Sequence, residues 1–476
     1  MKSTATEFVA NSRNALADRQ LQTALGRVGP GFIEKRRLAL QDLPEFELLR
    51  ASARDIKDRT LEALDVHLER FEAQVATAGG QVHWAADAAE ACEQIVALCR
   101  QHGAHKVTKG KSMSAEEIGL NDALEQAGFE PIETDLGEYI IQLAHEPPSH
   151  IIAPAIHKNR AQIADLFQEH HGRYGITHRA ESVPEIVDEA RQVLREQFLA
   201  ADVGITGANF LVAETGSVIV VTNEGNGDLT ASLPRAHIVV AGIDKVVPTL
   251  DDASVLLRLL ARSATGQAFT AYTSLFTGPR RIADPDGPDA FHVVLVDNGR
   301  SAMLGGPFRE MLRCIRCGAC LNHCPIYGSV GGHAYGWVYP GPMGAVLTPL
   351  MTGLANATDL PNASTLCGRC EAVCPMSIPL PRLLRQHRNE QHRRRLDSPR
   401  ARWALAAWGF AARRPRLYRL ATGLGIRLLA LLGKRRGRFA HLPLAGGWTR
   451  SRDLPAPTGP TFMSQWRRPN RPGTGS

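Results

Sequence analysis

The chain has 476 residues, 44% of them apolar and 22% charged. That is the balance of a soluble globular protein and it excludes a wholly disordered chain; at one domain per ~150 residues the length allows about three domains. The net charge of +7 hides a split, because residues 376–476 carry 22 Lys and Arg against 3 Asp and Glu while the rest of the chain is acidic.

The opening MKSTATEFVANSRNALADRQ places charged residues every few positions. It lacks the uninterrupted apolar segment and small-residue cleavage site that export requires, so a cytoplasmic protein is expected. From about Phe8 to Ala78 apolar residues recur at helical spacing, as in LEALDVHLERFEAQVATAG, and Gly79-Gly80 supplies a stop. This predicts an N-terminal helical collar, residues 1–69.

The period then changes. QVHWAA, a helix over Asp87–Gln101, HKVTKG, a helix over Ser114–Gln126 and EPIETD alternate strand with helix, the pattern of a parallel-sheet α/β domain. ANFLVAETGSVIVVTNEGN predicts two strands joined at Glu214-Thr215-Gly216, and AHIVVAGIDKVV and AFHVVLVDNG predict buried strands. Residues 70–298 therefore read as one α/β domain. Cys92 and Cys99 lie seven apart on one helical face, as core residues do. Neither nicotinamide nor flavin is indicated: no G-x-G-x-x-G follows a strand, and KGKS at Lys109–Ser112 has His105 where a phosphate loop needs its first glycine.

Seven of the nine cysteines fall between Cys314 and Cys374. CIRCGACLNHCP holds Cys314, Cys317, Cys320 and Cys324-Pro325, and a second group holds Cys367, Cys370 and Cys374-Pro375. A C-x2-C-x2-C run turns three sulfurs toward one iron-sulfur cube, and the cysteine before proline serves the other cube. By that crossed logic cluster 1 takes Cys314, Cys317, Cys320 and Cys374, and cluster 2 takes Cys324, Cys367 and Cys370. Structural zinc also uses C-x2-C pairs but rarely seven cysteines with Cys-Pro closing both groups. The second group lacks one cysteine, read from the spacing as its middle member. Cluster 2 is therefore either a three-iron cluster or a 4Fe-4S cluster completed by water, by a partner's thiolate or by a side chain such as Asn322, His323 or His333. Arg316 and Arg369, placed between ligands, would raise the cluster potentials if turned inward, and the amides of Gly318-Ala319 and Gly368-Arg369 are candidate donors to sulfur. The Gly- and Pro-rich connector SVGGHAYGWVYPGPMGAVLTPL predicts an irregular, cluster-wrapped module over residues 299–385.

GITGANFLVAETGSVIVVTNEGN (204–226), CIRCGACLNHCPIY (314–327), GGHAYGWVYPGPMGAVLTPL (331–350) and LCGRCEAVCPMSIPLPRLL (366–384) together resemble the lactate utilization protein B family, over about residues 30 to 400. The resemblance implies an α/β domain similar to the CoA-transferase and sugar-isomerase folds joined to a ferredoxin-like module. It implies two 4Fe-4S clusters on the cysteines above, the second with three thiolates. It further implies electron transfer during oxidation of L-lactate to pyruvate, beside a cysteine-rich redox subunit and a second subunit bearing the lactate-utilization domain. No catalytic residue is assigned on that reading. The competing reading makes the α/β domain a CoA-transferase-like enzyme with Glu214 as nucleophile; another 2-hydroxy acid as substrate also stays open.

Residues 386–476 read as a basic helical region ending in a disordered PNRPGTGS. The apolar stretch Leu417–Leu432 contains Arg419 and Arg427 and is too short and too charged to span a bilayer. With Trp403 and Trp408 it suits the inner face of an anionic membrane or an acidic partner; nucleic acid is the weaker alternative, because no recognition motif accompanies the charge.

Overall fold

In the computed structural model the chain up to Thr77 is helical, as the spacing predicts: Phe8–Ala17, Arg19–Leu25, Glu34–Gln41, Phe46–Glu62 and Leu64–Thr77. The described residues are 3–110, 112–442, 445–449 and 451–466. Asp18 starts the second helix by accepting hydrogen bonds from the Gln20 and Leu21 amides. At the stop, Gly79 adopts φ 89°, and a Cβ on Gly80 would meet Phe291 at 2.8 Å. Only glycine lets the chain turn so tightly into the sheet.

Ten strands follow in residues 81–296: β1 Gln81–Ala85, β2 Lys106–Gly110, β3 Glu130–Glu133, β4 Val203–Gly207, β5 Phe210–Val212, β6 Ser217–Thr222, β7 Ala236–Gly242, β8 Val246–Val247, β9 Tyr272–Phe276 and β10 Ala290–Val296. Six form a wholly parallel sheet in the order β1-β10-β7-β4-β2-β3. The remaining four form a smaller mixed sheet, β8-β5-β6-β9, whose β5–β6 hairpin turns at Gly216, φ 69°. The mixed α/β class is thus as expected. Three details differ. The helix expected over Ser114–Gln126 breaks at Gly119 (φ 70°) into Met113–Ile118 and Leu120–Gln126. The strand expected over AHIVVAGIDKVV divides, with β7 leaving the large sheet through a tight turn at Ile243–Lys245 before β8 joins the small one. Strands β4 and β9 were not anticipated, because GITG and YTSLF are short and their neighbours carry the stronger apolar signal.

One apolar core runs from Ala5 and Phe8 through β5–β8 to Leu384, so the N-terminal helices, the small sheet and the cysteine segment share their interior. A second core, containing Cys99 with Cys92 packed against it, lies beneath the large sheet. Burial pushes these two thiols up to about 12 and about 11, as expected of inert packing residues. The N-terminal helices also hold the cysteine segment directly. Arg50 donates to the carbonyls of Cys374 (2.7 Å) and Glu371 (2.9 Å), Arg36 donates to that of Val373 (3.0 Å), and Arg313 forks onto Asp58.

Residues 1–393 make one compact unit and residues 394–476 another. The second contains helices Pro399–Ala412 and Pro415–Gly433, a two-strand ribbon, Arg438–Phe439 with Leu454–Pro455, and short helices Gly446–Thr449 and Phe462–Trp466. Trp403, Trp408, Phe410, Leu420, Leu424, Leu428 and Leu431 are all exposed on it. PNRPGTGS lies outside the described residues.

Candidate metal centre

The two cysteine groups are copies of one backbone motif. In the first, Arg316 (φ 59°) and Gly318 (φ 75°) flank Cys317; in the second, Leu366 (φ 54°) and Gly368 (φ 81°) flank Cys367. Each left-handed glycine opens a one-turn helix, Ala319–Asn322 or Arg369–Ala372. The amides of Leu321, Asn322, His323 and Cys324 bond to Gly318, Gly318, Ala319 and Leu321; those of Glu371, Ala372, Val373 and Cys374 bond to Gly368, Gly368, Arg369 and Glu371. Every partner in the second set stands 50 residues after its counterpart in the first. A residue with φ > 0 outside glycine is strained, and both motifs accept that strain to turn successive sulfurs the same way.

The repeat corrects the reading of the missing cysteine. Ser364 stands 50 residues after Cys314, so the second group lacks its first member and not its middle one. Aligning the groups on their Cys-Gly and Cys-Pro dipeptides would have revealed this from sequence. The Ser364 hydroxyl oxygen accepts one bond, from the Leu366 amide at 3.1 Å.

Cys314, Cys317, Cys320 and Cys374 line a single cavity walled by Ile151, Met311, Ile315, Met343, Ile378 and Leu380. Burial raises the thiols of Cys317 and Cys320 strongly and that of Cys374 to about 11. Burial thus keeps Cys317, Cys320 and Cys374 protonated unless a cation replaces the protons, and with Cys314 beside them the donor set and the walls fit an iron-sulfur group. The other three cysteines lie together nearer solvent. Cys324 and Cys370 are buried and Cys367 is exposed, and the three are mutual electrostatic neighbours. Burial raises Cys370 to about 12, whereas the Arg369 amide and the Thr365 side chain lower Cys367. Cys370 also neighbours Cys320, so the two sets adjoin.

Amide donors fall where expected: Ala319 N–H points at the Cys317 sulfur and Arg369 N–H at that of Cys367. Of the two arginines, Arg369 is exposed, while the Arg316 side chain turns inward, 9% exposed, over the Tyr339 ring at 4.9 Å and 3.8 Å from Asp244. The side chains considered for cluster 2 sit otherwise. Asn322 is held by His150 (2.9 Å) and bonds to the Ala264 carbonyl, His323 Nδ1 bonds to the Ala319 carbonyl (2.9 Å), and His333 turns to the Pro147 carbonyl beside His157. A residue that sequence did not single out faces this set: the buried Tyr335 hydroxyl lies against Cys324 and has no other hydrogen-bond partner among the described residues.

Glu214 is exposed at the β5–β6 turn, where its carboxylate accepts the Leu250 amide at the start of helix Leu250–Ala264. That is a capping position, not the enclosed setting that activates a carboxylate nucleophile. Lys109 of KGKS is buried between Glu116 (2.7 Å) and Glu133 (2.6 Å), and Ser112 caps helix Met113–Ile118; Lys111 lies outside the described residues.

Beneath the cysteine cavity is a group of buried charges. Arg300 forks onto Glu117 (2.9 and 2.8 Å) and reaches Asp244 (2.6 Å), Tyr339 donates to Glu117 (2.7 Å), and Lys57 donates to the Asp244 carbonyl (2.5 Å). These bonds tie the large sheet to the cysteine segment. The arginine holds the Asp244 and Glu117 carboxyls well below the usual carboxylate range despite burial.

Residues 68–296 match the LUD domain and residues 310–378 match the 4Fe-4S dicluster domain. Lactate utilization protein B of Lysinibacillus sphaericus is 43% identical over 98% of this chain and 97% of its own length. The chain belongs to the lactate utilization protein B family. The Geobacillus thermodenitrificans member of the family is 45% identical over 93% of this chain and 92% of its own. An Escherichia coli relative, described as uncharacterized electron transport protein YkgF, is 40% identical over 98% of each. The chain accordingly joins a LUD domain to an iron-sulfur module, and its seven clustered cysteines all lie within or beside the dicluster match.

Proposed function

We propose that this chain is the iron-sulfur electron-transfer subunit of a system oxidising L-lactate to pyruvate. The observation that carries it is the gathering of Cys314, Cys317, Cys320 and Cys374, from two distant groups, around one apolar cavity. Cluster 1 is held there. Cluster 2 is held by Cys324, Cys367 and Cys370, with the Ser364 hydroxyl at the position that Cys314 fills in the first motif. Clusters bound at these sites supply one-electron steps. The protein's own contribution is to exclude water from the first site, to donate amides to the sulfurs, and to expose Cys367 where a partner can exchange electrons. Relatives named for lactate utilization and for electron transport support the reading. The partners are a cysteine-rich redox subunit and a second LUD-domain subunit. Anaerobically purified protein should contain about eight irons, or seven if cluster 2 has three, with matching acid-labile sulfide. Zinc without sulfide would refute the assignment.

No helix among the described residues is long and apolar enough to cross a membrane. The basic second unit, with exposed Trp403 and Trp408 among arginines, is proposed to rest on an anionic membrane face. Deleting residues 394–476 should abolish co-sedimentation with phosphatidylglycerol vesicles, and equal sedimentation of both forms would remove this role.

A further inference from the structure

Two sets of cations reach the enclosed cysteine site. One comes from the sheet side: Lys245 and Arg316 meet Cys317 in a crevice of about 480 Å³ at the carboxyl end of the large sheet, and Lys57 lies beside them. These three have Cys314 and Asp244 as electrostatic neighbours, so their charge is answered by the sheet and by the site together. The other is a single residue, Arg36, on the N-terminal helix Glu34–Gln41. It lies outside both the LUD match and the dicluster match.

Arg36 is held from several directions. Gly266, at φ 75°, seats its helix: a Cβ there would meet the Lys35 carbonyl carbon at 2.4 Å and the Arg36 nitrogen at 2.7 Å, so only glycine admits so close an approach. The Arg36 Nη2 donates to the carbonyl of Val373, the residue before Cys374, at 3.0 Å, and the guanidinium stands 5.6 Å from the centroid of the Phe46 ring. The residue is 8% exposed, and its Nε–H has no partner among the described residues. The next residue behaves oppositely. Arg37 is exposed and forks onto Glu34 at 2.9 and 2.7 Å, an ordinary surface pair.

A guanidinium does not shed its proton, so Arg36 brings a full charge into the interior. Its carboxylate neighbour, Glu47, is exposed and bound to Arg50 at 3.2 Å. Its thiol neighbours are Cys317 and Cys374, two of the four around the apolar cavity. A buried charge is destabilising unless it is paired, and the opposite charge at hand is that of a thiolate-bound group. Reduction adds one more negative charge there. Water can screen that charge beside the exposed Cys367 but not inside the sealed cavity, where the protein's own cations decide how readily an electron is accepted.

We propose that Arg36 is the counter-charge of cluster 1, its buried guanidinium and free Nε–H answering the thiolate-bound sulfur and holding the reduction potential of that cluster up without acting on cluster 2. The inference rests on the electron-transfer reading. It gives the N-terminal helices a share in the redox site as well as in its packing.

The test is a potentiometric titration of full-length, anaerobically purified protein followed by paramagnetic resonance, with the signal that vanishes in Cys317→Ser assigned to cluster 1. Arg36→Gln puts a neutral amide in place of the guanidinium. It should make cluster 1 harder to reduce by tenfold or more in the reduction equilibrium, a midpoint about 59 mV lower for one electron, with cluster 2 unmoved. Arg36→Lys keeps the charge and should stay within about threefold of the parent. Arg37→Met, on the same helix, should shift neither cluster, and iron content should equal that of the parent in all three variants. An unchanged midpoint in Arg36→Gln or equal shifts at both clusters would overturn the assignment. So would an Arg36→Lys protein that falls as far as Arg36→Gln, or iron loss as the sole defect of Arg36→Gln, since the arginine would then merely hold the cysteine segment in place. The two readings fail separately: protein without iron and sulfide sinks the electron-transfer role, whereas reducible clusters whose potentials ignore Arg36 sink this inference alone.

Discussion

The two cysteine sites share a backbone and differ in their surroundings. The first has four thiols in an apolar cavity, with inward-turned Arg316 and the buried group of Arg300, Glu117 and Asp244 beneath it. The second has three thiols, one of them exposed, with a serine where the fourth belongs and the exposed Arg369 in place of a buried cation. One duplicated turn has thus been set in two dielectrics. The buried copy has its electrostatics fixed by the protein, while the open copy leaves room for a partner, solvent or a serine hydroxyl to set its chemistry.

Three substitutions would break or sharpen that contrast. The largest effect is expected from Cys317→Ser, which removes a buried thiolate from the enclosed site. It should cost about half the iron and bleach the visible absorbance accordingly, measured by iron assay and spectrum; unchanged iron would rule Cys317 out as a ligand. Next is Glu117→Gln, which leaves Arg300 with one carboxylate instead of two. Breaking so buried a pair should lower unfolding free energy by about 3–5 kcal/mol in denaturant titrations, with the second site's resonance unaltered while the protein is folded. A loss below about 1 kcal/mol would mean that the charges are not truly desolvated. The smallest and most selective change is Ser364→Cys, which supplies the repeat's missing thiol. Any three-iron signal in the oxidised protein should disappear and iron should rise to that of two full clusters, with the first site untouched. Persistence of the three-iron signal would show that position 364 does not face the second cluster.

The two cysteine groups were legible in the sequence because a cysteine run is short-range information: spacings of three residues are fixed by the local turn whatever surrounds them. Most large-sheet strands were legible too, since β7 and β10 are apolar runs too short for helices and bounded by turn residues. The repeat relating Cys314 to Ser364 is present in the Cys-Gly and Cys-Pro spacing but easily passed over, because a serine carries no metal signal; the φ angles and hydrogen bonds make it plain. Glu214 had two readings in the sequence, nucleophile or turn residue, and the structure adds that it is exposed and accepts the Leu250 amide.

Sequence alone determined that seven cysteines fall in two groups with iron-sulfur spacing, that an α/β domain precedes them, and that the tail is basic, since these follow from spacing, periodicity and composition. Tertiary structure alone decided that Lys245, Arg316 and Cys317 share one crevice, that Arg300 is paired with both Glu117 and Asp244, and that one cysteine site is sealed and the other open. Burial and charge pairing depend on which distant segments meet, and residues 245 and 316 meet only because the parallel sheet delivers one to its carboxyl end and the cysteine motif turns the other down onto it.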